Sequence, residues 1–507
     1  MNIADALDRN TLYFPDKDAV VDRGRRWSYA EFRRDADRFA HALVDLGVEK
    51  GDRVCVFMGN SAEFAIAFYG IFKVGAIAVS ISAMCKCGEV EYQLGNSESS
   101  ILVTSAPHLP EVPERELIPL IRQVISVGGG EGADLEFWEL LDRHADAGPF
   151  QTVYTDREDG AEIIFTSGTT GKPKGVVLTH GNVVSNTNAN AHVTKMTPDD
   201  RLLCFLPMYH SFAQNFIFNG AIFRGAALII APKFELEPVL KIMREEKVTR
   251  WHAVPTIYIL VLNNEELRAE IDAAFASVNF SFSAAASMPG EIARKWFDRF
   301  GLKISEGWGL TETTPSATYN HEFRHKVGTV GTPIENVEVQ VWDENLQPLP
   351  PGQVGELVIK GPNVMKCYYN NPEATAETIV NGWLRTGDVG MQDEEGYFLI
   401  VDRVKDMVNS AGLKIWPREV EEVLYEHVAV AECAVIGVPD PLYGENVKAC
   451  VVVREGAEVS AEELIALCKA KLAGYKAPKI VEFLDCLPKN PSGKILKTEL
   501  RRMAEEK

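Results

Sequence analysis

A loop rich in glycine, hydroxyl and lysine residues directly follows a strand-like apolar run. The run is Ala161-Glu-Ile-Ile-Phe165, and the loop after it reads Thr166-Ser-Gly-Thr-Thr-Gly-Lys-Pro-Lys-Gly175. Glycines let backbone N–H groups approach an anion closely, hydroxyls add donors or a magnesium ligand, and lysines supply positive charge. The segment therefore predicts a strand that ends in a polyphosphate-binding loop, with a flexible solvated loop as the alternative.

The spacing of this loop differs from that of a Walker phosphate loop. A Walker loop has the pattern Gly-x-x-x-x-Gly-Lys-Ser/Thr. Here only Thr169 and Thr170 separate Gly168 from Gly171, and a proline follows Lys172. A P-loop kinase or GTPase is therefore not expected.

Strand-like and helix-like segments alternate through the first part of the chain. A helical pattern over 32–46 precedes the β-rich run 53–58, and residues 59–61 interrupt the strand before an apolar helix and a short strand near 77–81. The same rhythm returns at 202–206, 226–230 and 250–254. Repeated strand, helix, strand units predict an α/β fold with doubly wound parallel sheets.

The pattern of predicted strands, turns and helices changes twice toward the C-terminus. Short strands and turns predict a β-rich subdomain over about 328–401. A mixed segment follows, with a helix at 417–427 and strands at 434–438 and 449–453. We therefore predict a large N-terminal domain, 1–401, and a small α+β domain, 402–507.

Composition excludes several classes of protein. The formal net charge of -20 opposes binding to nucleic acid, because phosphate attraction requires an excess of lysine and arginine. The first residues do not resemble a signal peptide, and no long uninterrupted apolar stretch predicts a membrane span. The nine cysteines are scattered without metal-ligand spacing. A cytoplasmic enzyme with reduced cysteines is the simplest interpretation.

Five further motifs follow the loop along the chain. They are Glu306-Gly-Trp-Gly-Leu-Thr-Glu-Thr313, Trp383-Leu-Arg-Thr-Gly-Asp388, Val401-Asp-Arg-Val-Lys-Asp406, Ser410-Ala-Gly-Leu-Lys-Ile-Trp-Pro417 and Pro488-Lys-Asn-Pro-Ser-Gly-Lys-Ile-Leu-Lys497. With the loop, in this order, they resemble the adenylate-forming superfamily of acyl-CoA synthetases, peptide-synthetase adenylation domains and beetle luciferases. The resemblance covers about residues 165–497 and implies ATP, magnesium and coenzyme A.

The resemblance implies a nucleotide site with assigned roles. Trp308 would stack on adenine, Thr311 would contact the AMP phosphate and Asp388 would accept hydrogen bonds from both ribose hydroxyls. Thr166 and Glu312 are the expected magnesium ligands, since carboxylate and hydroxyl oxygens suit that ion. The implied cofactor-binding set is Thr166, Ser167, Gly168, Thr169, Thr170, Gly171, Lys172, Lys174, Glu306, Gly307, Trp308, Gly309, Thr311, Asp388, Arg403 and Gly412.

The resemblance also implies a two-step reaction at one site. The acid attacks the α-phosphorus of ATP, and a thiolate then attacks the acyl adenylate. The C-terminal domain would rotate about Asp402, presenting first Lys494 and then the Gly412 loop. Ala411 replaces a glycine common in relatives, so a stiffer loop is expected. The predicted catalytic residues are Lys494, Glu312, Thr166 and His210, the last without a proton-transfer role.

The predicted acid pocket is apolar. It includes His210, Phe212, Asn215, Phe216, Ala284, Ala285, Ala286 and Trp308, with no lysine or arginine to pair a second carboxylate. The run Ser283-Ala-Ala-Ala-Ser-Met288 replaces a commoner Gly-Gly-Ala-Pro type, so extra methyl groups would narrow the cavity. These features disfavour a dicarboxylate. They favour an apolar aliphatic acid of medium or long chain, with an aryl or hydroxycinnamate-type acid next.

Three functions compete on this evidence. A stand-alone acid:CoA ligase is favoured, because no carrier-protein domain follows Lys507. The alternatives are a ligase that loads a separate carrier protein, and a luciferase-like oxygenase or silent nucleotide-binding relative. The expected partners are a small carboxylic acid, ATP and coenzyme A, and the sequence leaves a homodimer open.

Overall fold

The computed structural model describes residues 1–166, 172–286, 288–403, 406–410, 413–441, 443–490 and 493–505. Its strands, in chain order, are β1 (Asp18–Asp22), β2 (Arg25–Ser28), β3 (Arg53–Phe57), β4 (Ile77–Ser80), β5 (Ile101–Ser105), β6 (Gln123–Val127), β7 (Leu135–Glu136), β8 (Gly160–Thr166), β9 (Lys174–Thr179), β10 (Arg201–Cys204), β11 (Ala227–Ile230), β12 (Arg250–Ala253), β13 (Phe280–Ser283), β14 (Ile304–Trp308), β15 (Thr318–Tyr319), β16 (Thr332–Pro333), β17 (Glu338–Trp342), β18 (Val354–Lys360), β19 (Cys367–Tyr368), β20 (Ile379–Val380), β21 (Trp383–Gln392), β22 (Phe398–Arg403), β23 (Val408–Ser410), β24 (Leu413–Ile415), β25 (Val430–Asp440), β26 (Gly444–Val453) and β27 (Ile480–Phe483).

The α-helices lie mostly between these strands. They are α1 (Asp5–Tyr13), α2 (Tyr29–Asp45), α3 (Ala62–Lys73), α4 (Cys87–Ser97), α5 (Phe137–Asp142), α6 (His180–Val193), α7 (Asn219–Arg224), α8 (Leu236–Glu246), α9 (Pro255–Asn263), α10 (Arg268–Phe275), α11 (Gly290–Phe300), α12 (Pro372–Thr378), α13 (Pro417–Tyr425), α14 (Ala461–Lys471) and α15 (Lys497–Glu505). A π-helix spans Phe212–Phe218.

Two large sheets form the bulk of the molecule. One has nine strands in the order β16-β15-β14-β13-β12-β10-β11-β1-β2, and the other has eight in the order β19-β9-β8-β4-β3-β5-β6-β7. Their central strands are parallel, and antiparallel pairs lie at the edges. Helix-strand alternation places helices on the faces of such sheets. The α/β fold class predicted from the sequence is confirmed.

Short sequence signals predicted where two of the helices begin. Ser61 caps helix α3, its Oγ accepting from the Phe64 N–H at 3.1 Å, as expected from the break at residues 59–61. Pro417 begins helix α13, where its missing N–H costs no intrahelical bond. The strand predicted at 434–438 is longer in the structure, because β25 pairs along its whole length with β26.

Two smaller sheets follow in the second half of the chain. Strands β17, β18, β21, β20 and β22 form an antiparallel sheet, and β24, β23, β26, β25 and β27 form a mixed sheet in which β27 pairs parallel with β26. A small apolar core under the last sheet includes Val408, Leu424, Val435 and Leu464. In the part of the chain that the structure describes, no helix has the length and apolar character needed to cross a membrane.

Candidate active site

The predicted phosphate loop connects two paired strands. Thr166 ends β8 and pairs with Lys174, which begins β9, so the loop joins two antiparallel neighbours. Lys172 is exposed, and its Nζ lies 5.2 Å from the centre of the Tyr92 ring. The loop residues Ser167, Gly168, Thr169, Thr170 and Gly171 lie outside the described residues. The described ends of the hairpin thus place a hydroxyl and two ammonium groups around the loop.

A half-buried carboxylate lies beside this hairpin. Glu312 lies in a short turn of 3-10 helix, Thr311–Thr313, and its Oε1 accepts a hydrogen bond from the Tyr368 hydroxyl at 2.8 Å. The ammonium of Lys174 lies 5.0 Å from the Tyr368 ring centre. Burial raises the pKa of the Glu312 carboxyl, because the charged form is desolvated. A cation bound there would relieve that cost, and the oxygen donors of Glu312 and Thr166 fit magnesium.

The turn that carries Glu312 depends on close backbone packing. A Cβ at Gly309 would lie 1.9 Å from the carbonyl oxygen of Pro315, so only glycine fits. Thr311 is buried, and its hydroxyl lies 3.3 Å from that of Ser211. Gly307 lies in β14, paired with Tyr319. The geometry of the turn therefore follows from the glycine in the motif.

Trp308 and Asp388 meet in the structure although they lie far apart in sequence. The Trp308 indole N–H donates to Asp388 Oδ2 at 2.8 Å, and Arg403 Nε lies 2.9 Å from Asp388 Oδ1. Strands β21 and β22 position the ion pair, since Asp388 and Arg403 are opposite each other in register. Asp388 is buried and Arg403 is partly exposed. Three predicted nucleotide-binding side chains therefore form one cluster.

The predicted hinge residue holds the start of helix α13. One carboxylate oxygen of Asp402 accepts from the Arg403 N–H at 2.7 Å, and the other accepts from the Arg418 N–H at 3.1 Å. Arg418 is in the first turn of the helix, where backbone N–H groups lack intrahelical partners. Burial raises the pKa of Asp402. Asp402 therefore connects the end of β22 to the first turn of helix α13.

Lys494 comes close to His210 in this structure. Burial, followed by the positive charge of Lys494, lowers the pKa of His210 to about 4. The adjoining loop docks on the segment after β12, where the Thr256 hydroxyl donates to the Gly493 carbonyl at 3.2 Å. His210 is therefore neutral at pH 7, and the positive charge of Lys494 disfavours its protonation.

A group of aromatic rings begins two residues after His210 in the chain. The Phe212 ring lies 5.7 Å from the centres of both Phe216 and Phe282. Ala284 is half-buried, whereas Ala285 and Ala286 are exposed. Ala285 has a φ of 69°, in the left-handed region where a side chain costs about 1–2 kcal/mol. Ala285 is therefore under backbone strain that a glycine would not have.

Two of the residues predicted at the site, Asn215 and Glu306, have other partners in the structure. Asn215 is fully buried, and its Nδ2 donates to Glu162 Oε2 at 2.9 Å, away from the aromatic group. Glu306 accepts a backbone hydrogen bond from Met288 and lies near Arg418, and burial raises its pKa to about 8. Gly412 lies outside the described residues.

Tyr368, Glu162 and Phe282 contact predicted site residues and had no sequence prediction. Tyr368 orients Glu312, and Glu162 binds Asn215. Glu162 carried a signal, since it is a charged residue within an apolar strand-like run. Tyr368 carried none, because its role depends on β19 pairing with β9.

Comparison with known proteins identifies the class to which this site belongs. The AMP-binding enzyme family model matches residues 7–369, and the model of the AMP-binding enzyme C-terminal domain matches 419–494. The chain belongs to the AMP-binding enzyme family. It is an AMP-forming acid-thiol ligase, of the acyl- or aryl-CoA ligase type, which uses ATP and coenzyme A.

Individual relatives cover nearly the whole chain. A long-chain-fatty-acid-CoA ligase of Bacillus subtilis (strain 168) is 35% identical, over 99% of this chain and 93% of the relative. A feruloyl-CoA synthase of Amycolatopsis sp is 36% identical, over 97% of each chain. The crystal structure of the anthranilate CoA ligase AuaEII in complex with anthranoyl-AMP superposes with a TM-score of 0.93 at 28% identity, covering 99% of this chain and 97% of that one.

Proposed function

We propose that this enzyme joins an apolar monocarboxylic acid to coenzyme A through an acyl adenylate, with magnesium at Thr166 and Glu312. A medium- or long-chain fatty acid is the first candidate. The observation that carries the proposal is the buried Asp388 cluster with Trp308 and Arg403, together with the docking of the Gly493–Lys494 loop on Thr256 and the effect of the Lys494 charge on His210.

The charges around the site suit adenylation. The acid and the α-phosphate are both anionic, and their repulsion opposes attack. The Lys494 ammonium can bridge the two, stabilising the charge that develops during in-line transfer. His210 can donate a hydrogen bond from its neutral ring without adding a charge. When bound, magnesium would neutralise further phosphate charge.

The nucleotide would be held by groups that are already oriented. Asp388 faces the ribose hydroxyls in the proposed pose, with its carboxylate oriented by Trp308 and Arg403. Tyr368 keeps the Glu312 carboxylate in place. Residues 1–401 would act as the fixed part and 402–507 as the mobile part, rotating at Asp402 to expose the adenylate to the thiol.

An aryl acid is the second candidate. The rings of Phe212, Phe216 and Phe282 favour it, because an aromatic acid can pack edge-to-face or offset against such a group. The apolar surroundings also oppose a second carboxylate on the substrate. We place the enzyme in the cytoplasm and expect coenzyme A rather than a carrier protein as acceptor.

Acid-dependent pyrophosphate exchange over a panel of fatty and aryl acids tests the proposal. We expect exchange with one of these classes, followed by AMP release and thioester formation when coenzyme A is added. Formation of ADP, or ATP binding without any acyl adenylate, would contradict the ligase assignment. Transfer to a carrier protein but not to coenzyme A would contradict the acceptor.

The variant Lys494→Ala tests the catalytic assignment. Exchange should fall by about 100-fold or more, since removal of one charge-stabilising donor costs roughly 2.7–4 kcal/mol. Thioester formation from supplied acyl adenylate should persist. Lys489→Ala is the matched control, because this lysine is in the same loop but pairs with Glu432 at 2.6 Å. Full exchange in Lys494→Ala would remove this lysine from the mechanism.

A further inference from the structure

A fully buried carboxyl group lies in the strand that leads to the phosphate loop. Glu162 is in β8, four positions before Thr166, and has no exposed surface. Neighbouring strands β4 and β9 enclose it in the eight-stranded sheet. Burying a carboxyl group costs free energy unless the group is hydrogen-bonded, so Glu162 requires hydrogen-bond partners.

The partners of Glu162 all come from one helical segment. Asn215 Nδ2 donates to Oε2 at 2.9 Å, and Asn219 Nδ2 lies 3.3 Å from Oε1. The Gln214 side chain lies against the same carboxyl, and its Oε1 accepts from the Ser80 hydroxyl at 2.8 Å. We call these five residues the Glu162 network.

The Glu162 network spans the junction between a π-helix and an α-helix. Gln214 and Asn215 are in the π-helix Phe212–Phe218, and Asn219 begins the α-helix that follows. A π-helix is intrinsically less favourable than an α-helix and is commonly found at functional sites. Side-chain bonds at the junction oppose a change of register, since Asn219 Nδ2 also donates to Asn215 Oδ1 at 2.7 Å.

The same helix carries the acid-site residues at its start. The Gln214 N–H donates to the His210 carbonyl at 2.9 Å, and the side chain of the next residue, Asn215, donates to the Glu162 carboxyl. Phe212 is the first residue of the π-helix. The Glu162 network therefore joins the strand that ends at the phosphate loop to the helix that begins at the acid site.

We propose that Glu162 is a positioning residue for adenylation. By holding the π-helix against β8, it sets the distance between the His210 end of the helix and the loop that begins at Thr166. Adenylation depends on this distance, because the acid and the α-phosphate must approach in line, and small misplacements are costly. The inference rests on the proposed function for its catalytic consequence.

Glu162→Ala and Ile163→Ala form a matched pair. Ile163 is the next residue of the strand, is fully buried and packs in a core on the opposite face. Both variants should lose stability. Glu162→Ala alone should raise the KM for the acid and lower acid-dependent exchange by at least about tenfold, the equivalent of 1.4 kcal/mol. Its thioester formation from supplied acyl adenylate should stay within about twofold of Ile163→Ala.

Two results of this pair would overturn the inference. One is exchange in Glu162→Ala within about twofold of that in Ile163→Ala. The other is an equal loss of both half-reactions in Glu162→Ala, which would mean general damage to the fold. A selective loss of exchange supports the positioning role.

An exchange of donor and acceptor adds a test that does not rely on truncation. Asn215→Asp sets two carboxyl groups against each other, and Glu162→Gln in the same chain restores a donor-acceptor pair. The double variant should recover exchange at least about tenfold over Asn215→Asp alone, a coupling typical of residues in contact. A double variant no better than the product of the two single effects would contradict the inference.

Hydrogen exchange separates this inference from the proposed function. If the wild-type enzyme forms no adenylate with any acid, the proposed function fails, and the structural claim is still measurable. Amides over 207–219 should exchange faster in Glu162→Ala than in Ile163→Ala, because the π-helix has lost its attachment. Equal protection in the two variants would overturn the claim.

Discussion

The cluster of Trp308, Asp388 and Arg403 and the loop that carries Lys494 are attached to the fold in different ways. Asp388 is buried, with an indole N–H at 2.8 Å and a guanidinium at 2.9 Å, and it belongs to a paired strand. The Lys494 loop contacts the large sheets through the Thr256–Gly493 hydrogen bond of 3.2 Å and the packing of Gly493 on Val254. The Asp388 side is thus built into paired strands, whereas the lysine is carried by a loop that docks on the large sheets through Gly493.

This difference suits an enzyme that runs two reactions at one site. In the proposed mechanism the ribose clamp serves both half-reactions, so rigid attachment has no disadvantage. The same mechanism uses Lys494 in the first half-reaction and withdraws it for the second, which docking through a loop allows. Variants in each region should therefore differ in which half-reaction they impair.

Asp388→Asn should have the largest effect among the variants that test this comparison. The amide keeps an acceptor for Trp308 but loses the charge that would bind two ribose hydroxyls, and hydrogen bonds to charged groups contribute about 1.5–3 kcal/mol each. We expect kcat/KM for ATP to fall by about 100-fold. Both half-reactions should be slowed, and loss of the first alone would contradict a clamp that serves both.

Gly493→Ala should act on the loop alone. Its φ of 83° disfavours a side chain, and an added Cβ would lie 2.9 Å from Val254 Cγ2. Strain of about 1–2 kcal/mol plus this contact should reduce pyrophosphate exchange by roughly 10- to 30-fold. Gly456→Ala is the matched control, with a φ of 74° and no atom within 4 Å of the added Cβ. Equal losses in the two variants would show that docking is not the cause.

Trp308→Phe should have a smaller effect. The ring face for adenine is retained, while Asp388 loses a hydrogen bond with a net contribution of about 1 kcal/mol, or roughly fivefold in kcat/KM for ATP. Trp342→Phe removes a comparable bond to Gln340, of 2.8 Å, outside the site. Titration of AMP binding measures the effect, and equal affinity in both variants would mean that the indole N–H does not orient Asp388.

Acid should weaken the large sheets through a buried histidine. Burial lowers the pKa of His252 to about 3, so the unfolded chain binds a proton that the folded chain does not. The free energy of unfolding should therefore fall as pH drops from about 6.5 toward 3, by at most about 1.4 kcal/mol per pH unit from this residue. In urea titrations His252→Phe should lessen that fall, whereas the exposed His192→Gln should not.

The sequence located many elements because their signals are local. The Gly59-Asn60-Ser61 break and Pro417 predicted helix starts through backbone chemistry alone. The convergence of distant segments was predictable only by resemblance. Trp308 and Asp388 are 80 residues apart, and the hydrogen bond between them depends on how the sheet that contains β21 packs on the sheet that contains β14.

Packing also decided where single side chains point. Asn215 was expected near the acid, but in the structure its amide binds Glu162, because the π-helix sets its direction. Whether it contacts the acid stays a prediction. Helical spacing in the sequence assumes an α-helix, so an inserted π-turn shifts every later residue around the axis.

The sequence by itself determined the order of the motifs, the α/β class and the residue types of the predicted phosphate loop. These depend on residue type and on spacing within short segments. Tertiary structure alone decided that Tyr368 orients Glu312, that Asp402 holds helix α13 and that Glu162 joins the phosphate-loop strand to the acid-site helix. The reason is physical: a hydrogen bond between distant segments forms only after the sheets have brought their donors and acceptors together.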